Sequence, residues 1–230
     1  MELTPRPSVR QEVRQKVQTS LRTDRTAATV LHLVAETARQ ALTQMDQALG
    51  RQQPDCAAGC VFCCYHPVDI TVPEVLAIVH YLRTSRPLGA FIETLARVTE
   101  QAAKVHNLSF EAHAQAKIPC ALLVDRTCSV YPARPFACRA WHSMSVARCE
   151  TIFVEGDPIS MIPPLDTEAY TAVWDVARGF AEGCQQAQLD VRSYELHSVL
   201  LRALETPEAA ERWMRGEDVF SGCTVGAFTA

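Results

Sequence analysis

A mainly α fold is predicted from the sequence: a helical domain with an irregular cysteine-rich metal-binding loop region and room for a small hairpin. Three observations predict it. Apolar residues recur every three or four positions over most of the chain. The strand-helix alternation that builds a parallel sheet is missing, as is any self-similar repeat. The helical pattern stops where cysteines gather, at "CAAGCVFCC" (56–64) and within "PCALLVDRTCSVYPARPFACR" (119–139).

Residues 8–49 read as helix, with Val9, Val13 and Val17, then Val30, Val34, Ala38, Leu42, Met45 and Leu49 on one face, and Gly50 as the stop. This segment reads as core-packing helix or a dimerising arm, and His32 within it as an ordinary packed or half-exposed side chain. Past the first cysteines, Thr71 with Glu74 three residues on forms a capping box, and Val75, Leu76, Val79 and Leu82 supply the helix face. Pro87 opens the next helix, through Phe91, Leu95, Val98 and Ala102 toward His106. The 119–139 stretch then breaks the pattern. Its short runs "ALLV" and "CSVY" flank a polar "DRT" and precede Pro132 and Pro135, which predicts a loop or hairpin and no helix. Asp166 and Glu168, behind "MIPPL", start another helix, continued by Tyr170, Val173, Trp174, Ala177 and Phe180. Leu196, Val199, Leu200 and Leu204 give one more, and Thr206, Pro207 and Glu208 begin a last one ending near Gly216. The organisation expected is a helical segment over 1–50 that packs on the domain, a cysteine-cluster region over 51–150, and C-terminal helices of the same domain over 151–230.

Composition narrows the function. At 230 residues with a formal net charge of −4, the chain has no strongly basic surface, so nucleic acid is not an expected partner. No stretch approaches the length of a membrane span, and the N-terminal "MELTPRPSVRQEVRQKVQTS" lacks the apolar middle of a secretory signal, so no membrane association and a cytoplasmic location are expected. Ten cysteines in a reducing compartment point to metal ahead of disulfides, and adjacent Cys63 and Cys64 suit disulfide geometry poorly.

Thiolates are soft ligands that select zinc, iron–sulfur clusters or cuprous copper over calcium and magnesium. Were residues 56–64 a helical turn, then at ~100° per residue Cys60, Cys63 and Cys64 would lie about 40°, −20° and 80° from Cys56, on one face. In a tight loop, Gly59 permits the bend instead. Four cysteines in nine positions exceed what packing needs, since Ala or Val fills the same space. The vicinal pair points to two metals, a bridge between two, or a division between ligation and redox chemistry. Cys120, Cys128 and Cys138 lie on the irregular stretch, where a metal supplies folding free energy that apolar contacts do not. These seven thiols exceed one four-coordinate site and fall one short of two. Cys149, Cys184, His66, His142, Asp125 or solvent completes the set, and Cys223 reads as a bystander.

The pattern resembles the YkgJ-type cysteine-cluster family, described as zinc- or iron-chelating domains. The resemblance rests on "CAAGCVFCC", on Pro119 and Cys120 with the apolar run after them, and on Cys128, Val130, Tyr131, Arg134, Pro135, Cys138 and Arg139 of "CSVYPARPFACR". It covers residues 56–139. It implies ligand status for Cys56, Cys60, Cys63, Cys64, Cys120, Cys128 and Cys138, and leaves the activity open. Arg134 and Arg139 are candidates to stand just outside the thiolates and offset their negative charge.

The expected function is therefore metal binding, through an iron–sulfur cluster or iron first and zinc as the alternative, with a redox, metal-handling or structural role and the protein partner, if any, left open. One enzyme reading stands beside it. Cys56, Cys60 and Cys63 with Phe62 resemble the three-cysteine pattern of radical S-adenosylmethionine enzymes, although the βα repeats of those enzymes are missing. Flagellin lysine methylases resemble the same cysteine-cluster family, which makes an S-adenosylmethionine-dependent protein methylase the alternative function. A zinc hydrolase lacks its helical His-Glu-x-x-His motif, and a cysteine protease would need one privileged thiol near a histidine.

Overall fold

Ser8 opens the first helix. Its hydroxyl accepts the Gln11 N–H while the Gln11 side chain returns to the Ser8 amide, and α1 runs Val9–Thr23 with Val13, Val17 and Leu21 buried. The computed structural model describes residues 8–57, 59–155 and 162–226. The first seven residues of the N-terminal segment, Ala58 in the first cysteine cluster, Met161 of "MIPPL" and the last four residues of the C-terminal segment lie outside these. Among the described residues the chain forms ten α-helices and four short strands, so the mainly α prediction holds.

The helix expected over 8–49 is two helices. The chain breaks at Asp24–Thr26, where Asp24 and Thr26 draw backbone and hydroxyl donors to their side chains, and Thr26 caps α2 (Ala27–Leu49) by accepting the Thr29 N–H. The gap in apolar spacing between Leu21 and Val30 marks this break. Both helices pack on α8 (Thr167–Gln186), whose N-cap Asp166 accepts the Ala169 N–H. Two glycines make the α1 crossing close. A Cβ on Gly179 would lie 2.4 Å from the Arg10 carbonyl oxygen, and one on Gly183 would lie 2.6 Å from Val17 Cβ. The core they help close contains Val17, Leu21, Val30, Val173, Val176 and Phe180, each contributing roughly 1.5–3 kcal/mol on burial.

A second layer is organised by a two-stranded antiparallel sheet. β1 (Asp69–Thr71) pairs with a late strand, Ser193–Glu195, in the register Ile70 opposite Tyr194. Each strand leads directly into a helix, α3 (Val72–Ser85) and α9 (Leu196–Glu205), so the pairing sets the two helix starts side by side. The Thr71–Glu74 capping box is present as expected. Helix α4 (Leu88–Val105), with Pro87 at its N-cap, packs on α9. The sequence did not signal α5 (Phe110–Ala116).

The 119–139 stretch contains both a hairpin and a helix. β2 (Leu123–Val124) pairs antiparallel with β3 (Thr127–Cys128), then a 3₁₀ turn at Tyr131–Ala133 leads to α6 (Phe136–Ala140). The expectation of no helix there is corrected. Pro135 preorganises its start, and the Phe136 N–H finds an acceptor in Glu74 Oε1 at 2.8 Å. Also not foreseen is α7 (Val146–Glu155), started by Ser145, whose hydroxyl accepts the Arg148 N–H. With the late strand as β4, the described fold ends in α10 (Ala209–Met214), as the Thr206–Glu208 signal predicts. No helix among the described residues is long and apolar enough to cross a membrane.

Candidate metal centre

The first cysteine segment leaves α2 as a loop. Gly59 has φ +92°, a conformation that side chains strongly disfavour, and it reverses the chain so that a 3₁₀ turn, Phe62–Tyr65, carries Cys63 and Cys64. Of the two geometries open to the sequence, the segment adopts the loop. Phe62 and Tyr65 anchor the turn on α7, with ring centroids 5.7 and 4.9 Å from that of Phe153. Upstream, the Asp55 N–H donates to Ser143 O at 2.9 Å, which straps the loop to the segment before α7.

The second segment is bonded directly to the first. The Cys120 N–H donates to Cys64 O at 2.7 Å. At the hairpin tip, Asp125 and Arg126 both have positive φ, 47° and 60°, the backbone of a two-residue turn whose twist matches the strands. A non-glycine residue there costs roughly 1–2 kcal/mol. The Arg126 side chain offsets part of this by donating to Gly59 O at 3.0 Å, which ties the hairpin to the glycine bend.

The cysteines assemble around Cys63. Its thiol hydrogen-bonds that of Cys64, and this contact, followed by burial, pushes the Cys63 pKa far above the ordinary thiol value. On one side, burial raises the pKa values of Cys56 and Cys149, with added repulsion from Cys60 and Cys63. On the other, burial raises Cys120 to about 11 and Cys128 and Cys138 in the same direction, again with repulsion from Cys63. Eight cysteines thus share one region: Cys56, Cys60, Cys63, Cys64, Cys120, Cys128, Cys138 and Cys149. Of these, Cys56, Cys63, Cys120, Cys128, Cys138 and Cys149 resist ionisation unless a cation replaces their protons.

Backbone amides are already aimed at several sulfurs. Ser143 N–H donates to Cys56 Sγ at 3.0 Å, the amides of Leu122 and Leu123 face the Cys120 sulfur, and that of Val130 faces Cys128. The Ser143 hydroxyl reaches Cys149. Such donors stabilise thiolate charge and tune metal–sulfur centres. Among the described residues no three of these sulfurs lie mutually within 4.8 Å. A tetrahedral ion with metal–sulfur bonds of ~2.3 Å holds its sulfurs about 3.8 Å apart. Closing a single ion of that kind on four of them would require the sulfurs to move together.

Arg134 and Arg139 occupy different places. Arg134 lies over the Tyr131 ring, 4.2 Å from its centroid, and its charge lowers the cost of thiolate at Cys63, Cys128 and Cys138. Its Nε is buried with no hydrogen-bond partner, which leaves a cationic donor beside the sulfurs without an acceptor. Arg139, lowered to about 10 by burial, donates instead to Arg134 O (2.9 Å) and Pro132 O (2.8 Å), and holds the backbone that presents Arg134 and Cys138.

Of the candidates to complete the seven thiols, Cys149 lies with Cys56, Cys60 and Cys63. Cys184 is fully buried in the apolar core on α8, where burial alone raises it to about 12. Cys223 sits elsewhere, with its sulfur 3.9 Å from Ser198 O. His142 is occupied at both ring nitrogens, Nδ1 by Ala140 O (2.8 Å) and Nε2 by the Asp166 N–H (3.2 Å). His66 is half-buried with a lowered pKa caused by burial, its ring 6.0 Å from Trp141, and Asp125 is exposed on the hairpin tip. All ten cysteines are free thiols.

Two features escaped sequence reasoning. Ser143, which serves both Cys56 and Cys149, has no motif to mark it, because its role arises from a loop crossing. A buried trio, His113, Glu195 and His197, brings ligand atoms within 4.8 Å of one another, and only the Glu-x-His spacing at a strand-to-helix junction hints at it. No family model, curated protein or solved structure matches the chain.

Proposed function

We propose that the protein binds metal through this cysteine centre, as an iron–sulfur cluster or iron in preference to zinc, in the manner of the YkgJ-type family that its motifs resemble. The observation that carries the reading is the gathering of eight cysteines around Cys63 with peptide N–H groups directed at their sulfurs. The vicinal pair Cys63 and Cys64 supports more than one metal atom, because neighbouring side chains rarely chelate one ion. Arg134 supports it too, since an anionic thiolate-bound group supplies the acceptor its Nε lacks. A reducing, cytoplasmic setting accords with ten free thiols.

Anaerobic purification tests this. The protein is expected to be brown, with iron and acid-labile sulfide that fall when Cys63 or Cys138 is replaced by alanine. Colourless protein with stoichiometric zinc overturns the iron–sulfur assignment, and protein without either metal overturns metal binding. If the fold of the variants survives metal loss, the role is redox or metal handling; if it melts with the metal, the role is structural. Uptake should release protons, so apparent affinity rises with pH toward the raised thiol values, about 11 for Cys120. The S-adenosylmethionine-dependent methylase is tested by calorimetry on the metal-loaded protein, where absence of binding removes it.

A further inference from the structure

The second cluster of ligand-type side chains lies outside the sulfur centre, behind the Cys120–Ala121 peptide. Glu195 ends β4 and caps α9, its Oε2 accepting the Ser198 N–H at 2.8 Å, which leaves Oε1 turned toward His197. His197 Nδ1 lies 2.7 Å from that oxygen. His113, on the last turn of α5, places its ring centroid 6.0 Å from that of His197. All three are buried, at 3, 7 and 3 % exposure for His113, Glu195 and His197. The His113 Nε2 atom is buried with no hydrogen-bond partner at all.

A plain His–Glu hydrogen bond accounts for two of these residues and fails at the third. It leaves a buried imidazole nitrogen unpaired, with its desolvation uncompensated. A cation between the rings and the carboxylate satisfies all three. We infer that His113, Glu195 and His197 form a second metal site, which takes one divalent first-row transition-metal ion. Two imidazoles and one carboxylate are borderline ligands suited to ferrous iron, zinc or cobalt, and three protein ligands leave further positions open. With one carboxylate, the bound ion keeps a net positive charge, and the Cys120 and Cys223 thiols lie near enough to Glu195 to feel its charge.

Binding has a definite proton requirement. His197 is neutral, with its proton on Nδ1 toward Glu195 and Nε2 accepting the Ala121 N–H at 3.2 Å. When the metal takes the Nδ1 lone pair, that proton is lost to solvent and one is taken up at Nε2, so the ring remains neutral. The Ala121 amide must then give up its bond.

The test uses the full chain, anaerobic, with its thiols first saturated by cuprous copper, which thiolates select over a site of imidazole and carboxylate, and titrates cobalt(II). One further equivalent is expected, with weak ligand-field bands and without sulfur-to-cobalt charge transfer, and with affinity lowered more than about tenfold in His113→Gln. No further binding, binding with sulfur charge transfer, or equal binding by His113→Gln would overturn the site. If His113→Gln does not fold, X-ray absorption of the cobalt in the unmodified protein decides, since a nitrogen- and oxygen-only shell with imidazole scattering is required. Failure of the sulfur centre to take metal is read separately, from the copper content before cobalt is added.

Discussion

Glu74 is the joint between scaffold and sulfur centre, and replacing it should damage both. Its Oε1 accepts the Phe136 N–H at 2.8 Å, and its Oε2 accepts the Thr71 N–H at 3.0 Å and the Thr71 hydroxyl at 2.5 Å. One carboxylate thus starts α3 and also α6, the helix that carries Cys138. Glu74→Ala leaves two N–H donors unsatisfied, at roughly 1–3 kcal/mol each, and removes a cap worth ~1 kcal/mol, so about 3–7 kcal/mol is lost. Glu74→Gln keeps the Phe136 acceptor and sets an amide against the Thr71 N–H, which costs about 1–3 kcal/mol. Urea denaturation followed by circular dichroism measures the difference, and metal per folded chain measures the effect on Cys138. Burial raises the Glu74 pKa, so the stability linked to its protonated form is present at acid pH and is lost as pH rises through the raised value. The neutral Gln variant should lack that pH dependence. An alanine variant within about 0.5 kcal/mol of the parent, or a glutamine variant as damaged as the alanine one, would refute this account.

Two further outcomes concern the scaffold. Gly179→Ala should cost about 2–3 kcal/mol in thermal or urea unfolding, because its Cβ would meet the Arg10 carbonyl oxygen at 2.4 Å and helix propensity returns at most ~1 kcal/mol; Gly89→Ala, with open space around it, should be neutral or slightly stabilising. For Cys184, whose thiol is raised to about 12 by burial, the folded state holds its proton more tightly than the unfolded chain. Its contribution is complete below pH 9 and falls by about 4 kcal/mol toward pH 12. Cys184→Ala should therefore show a shallower alkaline loss than the parent, read from unfolding at several pH values, and parallel slopes would count against the assignment.

The long helices were legible because their information is local. Val75, Leu76, Val79 and Leu82 share a face through the helix period itself, and Thr71, Pro87 and Asp166 mark starts by satisfying nearby amides. Short elements were not. The five-residue α6 is too brief for a period to show, and its start depends on an acceptor 62 residues away in Glu74. The break at Asp24–Thr26 was written in the spacing but weakly, since apolar positions resume on the same face.

From the chain alone came the helical class and the two cysteine clusters as candidate ligands, because periodicity and cysteine density need no knowledge of the fold. Only the tertiary structure decided which groups meet. It set Cys149 beside Cys60 and Cys63 while Cys184 joined the core, turned the Ser143 amide onto Cys56, and brought His113 to Glu195 and His197. The physical reason is that side-chain chemistry is carried by each residue, whereas the direction of a sulfur, an amide or an imidazole follows from long-range contacts such as the β1–β4 pairing and the Cys120–Cys64 bond.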